Sequence, residues 1–154
     1  MRTLTLVSSF AVLVSGGVAH AELSRGVISA FHGQLVVTKD DLPEGKNDGD
    51  TIKKINAARI HTVDGEKKGD VQAWHFHYAA FLTRTGSSTL KVEFLNEKNQ
   101  LSATQTLNDV DPKSAVQLGE TGLNEDDGLT KGHTYTVELL AGSEVVAKTT
   151  LTMK

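Results

Sequence analysis

No cysteine occurs anywhere in the sequence. That absence excludes a disulfide brace, a cysteine nucleophile and a lipid anchor acylated on an N-terminal cysteine, so stability has to come from packing alone. Basic residues are also in deficit. The 16 lysines and arginines face 19 carboxylates, and no basic run exceeds the pairs Lys53-Lys54 and Lys67-Lys68. Without a basic face to neutralise phosphates, binding to nucleic acid or to an anionic membrane surface is disfavoured. Long apolar runs are missing too. The longest, Leu4 to Val18, is shorter than the ~18–20 residues of a membrane span and is broken by Ser8, Ser9, Ser15, Gly16 and Gly17, so no transmembrane segment is expected. Finally there is no G-x-S-x-G elbow, and with no activated nucleophile in sight the chain reads as non-catalytic.

The apolar run has a different meaning. Met1-Arg2 supplies a positive start, Leu4 to Val18 an apolar centre, and Ala19-His20-Ala21 a small-residue cleavage site. Together these specify a signal peptide over residues 1–21, cleaved after Ala21, and a single domain over residues 22–154. An exported chain without cysteine belongs in a periplasm or outside a cell.

Aromatic residues are scarce, at one Trp, two Tyr and five Phe. Four of them, Trp74, Phe76, Tyr78 and Phe81, fall within Val71 to Arg84. Because each can bury about 150–250 Å², the core is expected to form there. At period two, Trp74, Phe76, Tyr78, Ala80 and Leu82 share one face, and Ala73, His75, His77, Ala79 and Phe81 share the other. This is a strand with one core-facing side. It is long for a flat strand, and a bulge near Ala79-Ala80 is expected to turn Phe81 inward.

Strands account for most of what remains. Val27 to Thr38 is rich in β-branched residues and reads as one strand bulged at Gly33, or as two short ones. Asp40 to Asp50 reads as a loop. Thr51 to Val63 is ambiguous: Ile52 and Ile55 have helical spacing and Asp50 could cap a helix, whereas Ala58, Ile60 and Thr62 alternate. A strand from about Asn56 is favoured, joined to the aromatic strand through Asp64 to Asp70, with Val63 opposite Val71, Ile60 opposite Trp74 and Ala58 opposite Phe76. Leu90-Val92-Phe94 and Leu101-Ala103-Gln105-Leu107 form a hairpin about Asn96 to Asn99. Ala115 to Leu118 reads as a short edge strand and Glu120 to Gly128 as an acidic loop. Tyr135-Val137-Leu139 and Val145 to Met153 form a closing hairpin about Ala141-Gly142-Ser143. Strands at this spacing indicate an all-β sandwich.

Leu129-Thr130-Lys131-Gly132-His133-Thr134-Tyr135-Thr136-Val137 resembles the tyrosine corner, Leu-x-x-Gly-x-x-Tyr-x-Val, of immunoglobulin-like and fibronectin type III-like sandwiches. The resemblance implies an antiparallel immunoglobulin-like β-sandwich of about seven strands, with Leu129 under the sheet and the Tyr135 hydroxyl bonded back to nearby backbone. It implies little about function, since that architecture hosts adhesins, chaperones, enzyme accessory modules and metal carriers.

One motif carries possible chemistry. His75 and His77, two apart on a strand, present their imidazoles on one face about 7 Å apart at Cα. Imidazole suits Zn²⁺ and Cu²⁺. In the register above, His61 lies diagonal to His75 and offers a third ligand, while Arg59 lies opposite His75 and opposes a metal. His-x-His on a strand is similar to copper–zinc superoxide dismutase, but that family's further His and Asp ligands have no matching pattern here. His32 and His133 are isolated. The carboxylates of Asp40, Asp41, Asp48 and Asp50, and of Glu125, Asp126 and Asp127, do not fit a calcium loop. The leading expectation is a binding or accessory module without cofactor, contacting an unidentified protein or envelope partner. The alternative is a periplasmic copper or zinc carrier using His75 and His77.

Overall fold

The computed structural model describes residues 22–154, so the expected signal peptide over residues 1–21 and its expected cleavage site lie outside the described residues. The chain forms two sheets packed face to face, an all-β sandwich, with two helices on the outside of one of them. The first sheet is built on the aromatic strand β4 (Val71–Phe81). One edge of β4 pairs along nine residues with β7 (Val116–Asn124). Its other edge is shared by β3 (Glu66–Lys68), opposite Val71 to Ala73, and β1 (Leu35–Thr38), opposite His77 to Ala80. The second sheet has the order β2 (Thr62–Val63), β9 (Glu144–Met153), β8 (Thr134–Ala141), β5 (Leu90–Leu95), β6 (Leu101–Leu107).

Between the sheets lies a core of Trp74, Phe76, Tyr78 and Ala80 from β4 against Leu90, Val92, Phe94, Val137, Leu139 and Leu151, all buried. Phe76 meets Phe94 edge to face at 6.4 Å between centroids. The Trp74 indole N–H donates to the Lys154 carbonyl at 2.9 Å, which ties the first sheet to the end of β9. At Leu129 to Val137 the chain closes as the tyrosine-corner resemblance implies. Leu129 and Tyr135 are buried, and the Tyr135 hydroxyl accepts the Thr130 N–H at 2.8 Å.

Several local expectations are corrected. Among the described residues there are nine strands rather than about seven, and the sandwich is not wholly antiparallel, because β2 runs parallel to β9. Val27 to Ala30 lies in a helix, α1 (Arg25–Ala30), not a strand. Ser24 caps it by accepting the Val27 N–H. Val27 and Phe31, four apart, fall on one helical face and pack with Phe81, so tertiary burial overrides the β-propensity of the segment. A second helix, α2 (Asp48–Ala58), takes the ambiguous stretch. Its cap is Asn47 rather than Asp50. The Asn47 side chain accepts the Asp50 N–H, while the Asp50 carboxylate accepts the Lys46 N–H and pairs with Lys54. Thr51 and Ile55, at i and i+4, bury the inner face of α2.

These helices explain the length of β4. It has no bulge; register with β7 is continuous from Ala73 to Phe81. Phe81 points outward, not inward, and is buried with Ala79, Val36, Val27, Phe31 and Ile55 in a second apolar cluster beneath α1 and α2. The strand can therefore be apolar on both faces at its far end. The register expected for Val63, Ile60 and Ala58 against β4 is overturned as well, because Val63 pairs with Met153 in the other sheet. The two hairpins form as expected, with irregularities at Phe94/Leu95 and Leu139/Leu140. The edge strand β7 runs to Asn124 and takes up much of the expected acidic loop.

Candidate functional site

On the outer face of the first sheet, the helical cover reaches Ala79 and Phe81 and goes no further toward Val71. The next residues of β4 on that face are His77, half-buried, and His75, exposed. Their rings stand nearly perpendicular, at 85°, with centroids 5.6 Å apart. Strand β7 supplies the neighbours. Gly122 lies opposite His75 and Glu120 lies opposite His77. Because Gly122 has no side chain, the His75 ring has room beside it, and even an added Cβ would sit 3.8 Å from His75 Cδ2.

Glu120 reaches diagonally and its Oε1 pairs with His75 Nε2. One donor atom from each of His75, His77 and Glu120 lies within 4.8 Å of the others, and among the described residues no other group of three His or carboxylate side chains is so arranged. From the loop between β1 and α2, Asp41 Oδ1 comes to 3.3 Å from His77 Nδ1. A depression of about 230 Å³, lined in part by Asp41, Leu42, His77, Leu118 and Glu120, borders the group.

A larger cleft of about 640 Å³ opens on the other side of His75. It arises because β1 and β3 share one edge of β4 and leave Trp74, His75 and Phe76 between them without a strand partner on that edge. Lys39, Asp40, Asp64, Glu66 and Lys68 contribute to its walls. No deep enclosed pocket accompanies either feature, and both are open to solvent.

His75 and His77 are thus brought together on one exposed face, and His61 is not brought to them. Its place beside His75 depended on the overturned register; His61 precedes β2, where its carbonyl accepts the Thr152 N–H. The same correction removes the objection from Arg59. Its guanidinium donates to Gln34 Oε1 at 2.7 Å and lies over the Phe31 ring, 5.5 Å from the centroid, so it is engaged beneath the helices. His32 contacts Thr83 Oγ1 at 2.8 Å.

Asp50, Glu125 and Asp127 of the acidic clusters serve the backbone. Asp127 and Asn124 cap a 3-10 turn (Glu125–Asp127), and Glu125 accepts the Gln72 N–H. Asp50 is held below the usual carboxylate range by the Lys46 backbone N–H and by Lys54. Sequence reasoning missed Glu120 as a neighbour of the histidines and weighed Asp41 only as a calcium ligand. Glu120 stands between Gly119 and Gly122, and those glycines disguised β7 as a loop. The signal that was there is the period-two sequence Leu118, Glu120, Gly122, which places Glu120 on the face of its strand that carries Leu118.

The fold and site define a two-sheet β-sandwich with a helical cap over half of one outer face and a His-His-carboxylate group at the cap's margin. No protein-family model matches the chain, and no curated protein matches it. Among solved structures, a Bifidobacterium dentium beta-glucuronidase complexed with coumarin-3-O-glucuronide is similar over 77% of this chain and 16% of that one, at 15% identity and a TM-score of 0.34. The chain therefore spans about one sixth of that enzyme's length.

Proposed function

We propose that this chain is an exported, non-catalytic β-sandwich module of the immunoglobulin-like type that binds a protein or envelope component of the periplasm or cell surface. The observation that carries the reading is the unequal treatment of the first sheet's outer face. Its far half is sealed by α1 and α2, whereas the half bearing His75, His77, Glu120 and the exposed Leu118 is left open. A helical cap over one half with the other half left bare suits a face that meets something. The tyrosine corner and the signal peptide support the architectural and export parts of the reading. The open site, with no enclosed pocket to exclude water from a reacting bond, favours binding over turnover.

The test is site-specific photo-crosslinking in the expressing cell. A photoreactive residue at Leu118 or Gly122 is expected to give a discrete crosslinked product that the same residue at Thr104 or Thr106, on the opposite outer face, does not give. Equal or absent crosslinking from the two faces would refute the assignment. Substrate turnover abolished by Glu120→Gln would refute the non-catalytic reading.

A further inference from the structure

We infer that His75, His77 and Glu120 form a binding site for one divalent transition-metal ion, copper(II) or zinc(II), with Asp41 orienting His77. The donor set decides the class of ion. Two imidazoles and one carboxylate, with no thiolate in the chain, suit borderline ions rather than Cu(I) or the oxygen-seeking Ca²⁺ and Mg²⁺.

The geometry is close to what such an ion needs. Bonds of about 2.0–2.2 Å in a tetrahedral arrangement put ligand atoms roughly 3.3 Å apart. The three donors already lie within 4.8 Å of one another. Adjustment to the bound spacing, in which the contacting His75 Nε2 and Glu120 Oε1 must part, falls to side chains with room to rotate, because His75 and Glu120 are exposed and belong to neither apolar cluster. The strands fix the rest, since β4 holds the two histidines on one face and β7 holds Glu120 directly across from His77.

Three neighbouring features agree with this reading. Asp41 sits on a ring nitrogen of His77, the arrangement in which a carboxylate fixes a ligating imidazole's tautomer and orientation. Gly122 leaves the space beside His75 free. The fixed cation expected to oppose the site, Arg59, is occupied elsewhere, and the cleft beside His75 carries the carboxylates Asp40, Asp64 and Glu66 as well as Lys39 and Lys68. A bound ion would replace the His75–Glu120 contact and keep its remaining coordination positions facing solvent. Such an exposed, incomplete shell is suited to accepting and releasing an ion.

The inference concerns the face assigned above to binding, yet a metal titration is blind to any protein partner, so either reading can fail alone. The experiment is calorimetric titration of the purified, untagged protein with CuCl₂ and with ZnCl₂ in a weakly coordinating buffer, alongside electron paramagnetic resonance of the copper form. Expected are one ion per chain and nitrogen hyperfine structure from two imidazoles. Asp41→Asn, acting through His77, is expected to weaken binding by about 10–100-fold. His75→Ala, His77→Ala and Glu120→Gln, which remove donors, are expected to weaken it by at least that much, while His61→Ala and His133→Ala leave it unchanged. Matching circular dichroism of the metal-free variants checks that the fold survives. The inference is overturned by the absence of saturable binding, by full affinity in the His75→Ala/His77→Ala variant, or by an equal loss in His61→Ala.

Discussion

Replacing Tyr78 by Phe is expected to stabilise this protein, against the usual sign of a core substitution. Tyr78 is buried at 3% exposure between the two sheets, and its hydroxyl has no hydrogen-bond partner. A buried polar group without a partner costs about 1–3 kcal/mol in lost hydration, whereas the ring itself contributes the same packing in Phe. Tyr78→Phe should therefore raise the unfolding free energy by about 1–2 kcal/mol at neutral pH, or about 3–5 °C in Tm for a domain of this size.

The pH dependence gives a second, independent reading of the same atom. Burial pushes the Tyr78 phenol up to about 12 from 10.0. Between those values the native state holds a proton that the unfolded chain has lost. Stability from this group is thus fully present below pH 10 and is lost as pH rises through about 12. Two pH units correspond to a loss on the order of 2–3 kcal/mol. The variant lacks that loss, so the gap between variant and wild type should widen over the interval. Urea unfolding at pH 7, 10 and 11.5 with intrinsic fluorescence reads both effects. A variant less stable than wild type at pH 7, or a gap that does not widen with pH, would refute the reasoning by showing that the hydroxyl is hydrogen-bonded in solution.

Gly119→Ala should destabilise by about 1–3 kcal/mol, because the added Cβ would overlap Cζ and the hydroxyl oxygen of Tyr78, which lies across this glycine; thermal unfolding checks it, and Tyr78→Leu in the same chain should restore part of the loss. Tyr135→Phe should cost about 0.5–1.5 kcal/mol by removing the acceptor for the Thr130 N–H, measurable by urea unfolding, and an unchanged midpoint would show that the corner is held by packing alone. Asn47→Ala should cost about 1 kcal/mol of stability through loss of the α2 cap, with faster amide exchange confined to the first turn of that helix.

What the sequence disclosed and what it hid follow from the range of the interactions involved. Period-two burial in β4, β5, β8 and β9 is a local property of alternating side chains, and those strands lie where the pattern puts them. The tyrosine corner is equally local, since Thr130 and Tyr135 are five residues apart. The helices were obscured because Val27, Ile28 and Ile55 are β-branched, and the surface that α1 and α2 bury against comes from Val36 and the distant Ala79 and Phe81. Likewise the histidine pair was legible from its spacing, but Glu120 is 45 residues from His75 and Asp41 is 36 from His77, so only strand pairing and loop closure bring them together. The misplacement of His61 has the same origin: a short loop suggested a neighbouring strand, while β2 in fact crosses to the other sheet.

That crossing has a kinetic consequence. Thr62 and Val63 pair with Thr152 and Met153, about ninety positions further along the chain. Closing so long a loop is entropically slow, and the pairing is too short to form until β8 and β9 have already built a ladder for it to join. During synthesis or refolding, the stretch between α2 and β3 should therefore stay undocked until late. Trp74 reports the event directly: its indole meets the Lys154 carbonyl at the same junction, so its fluorescence should mature in the slowest phase, after the hairpins have acquired their secondary structure.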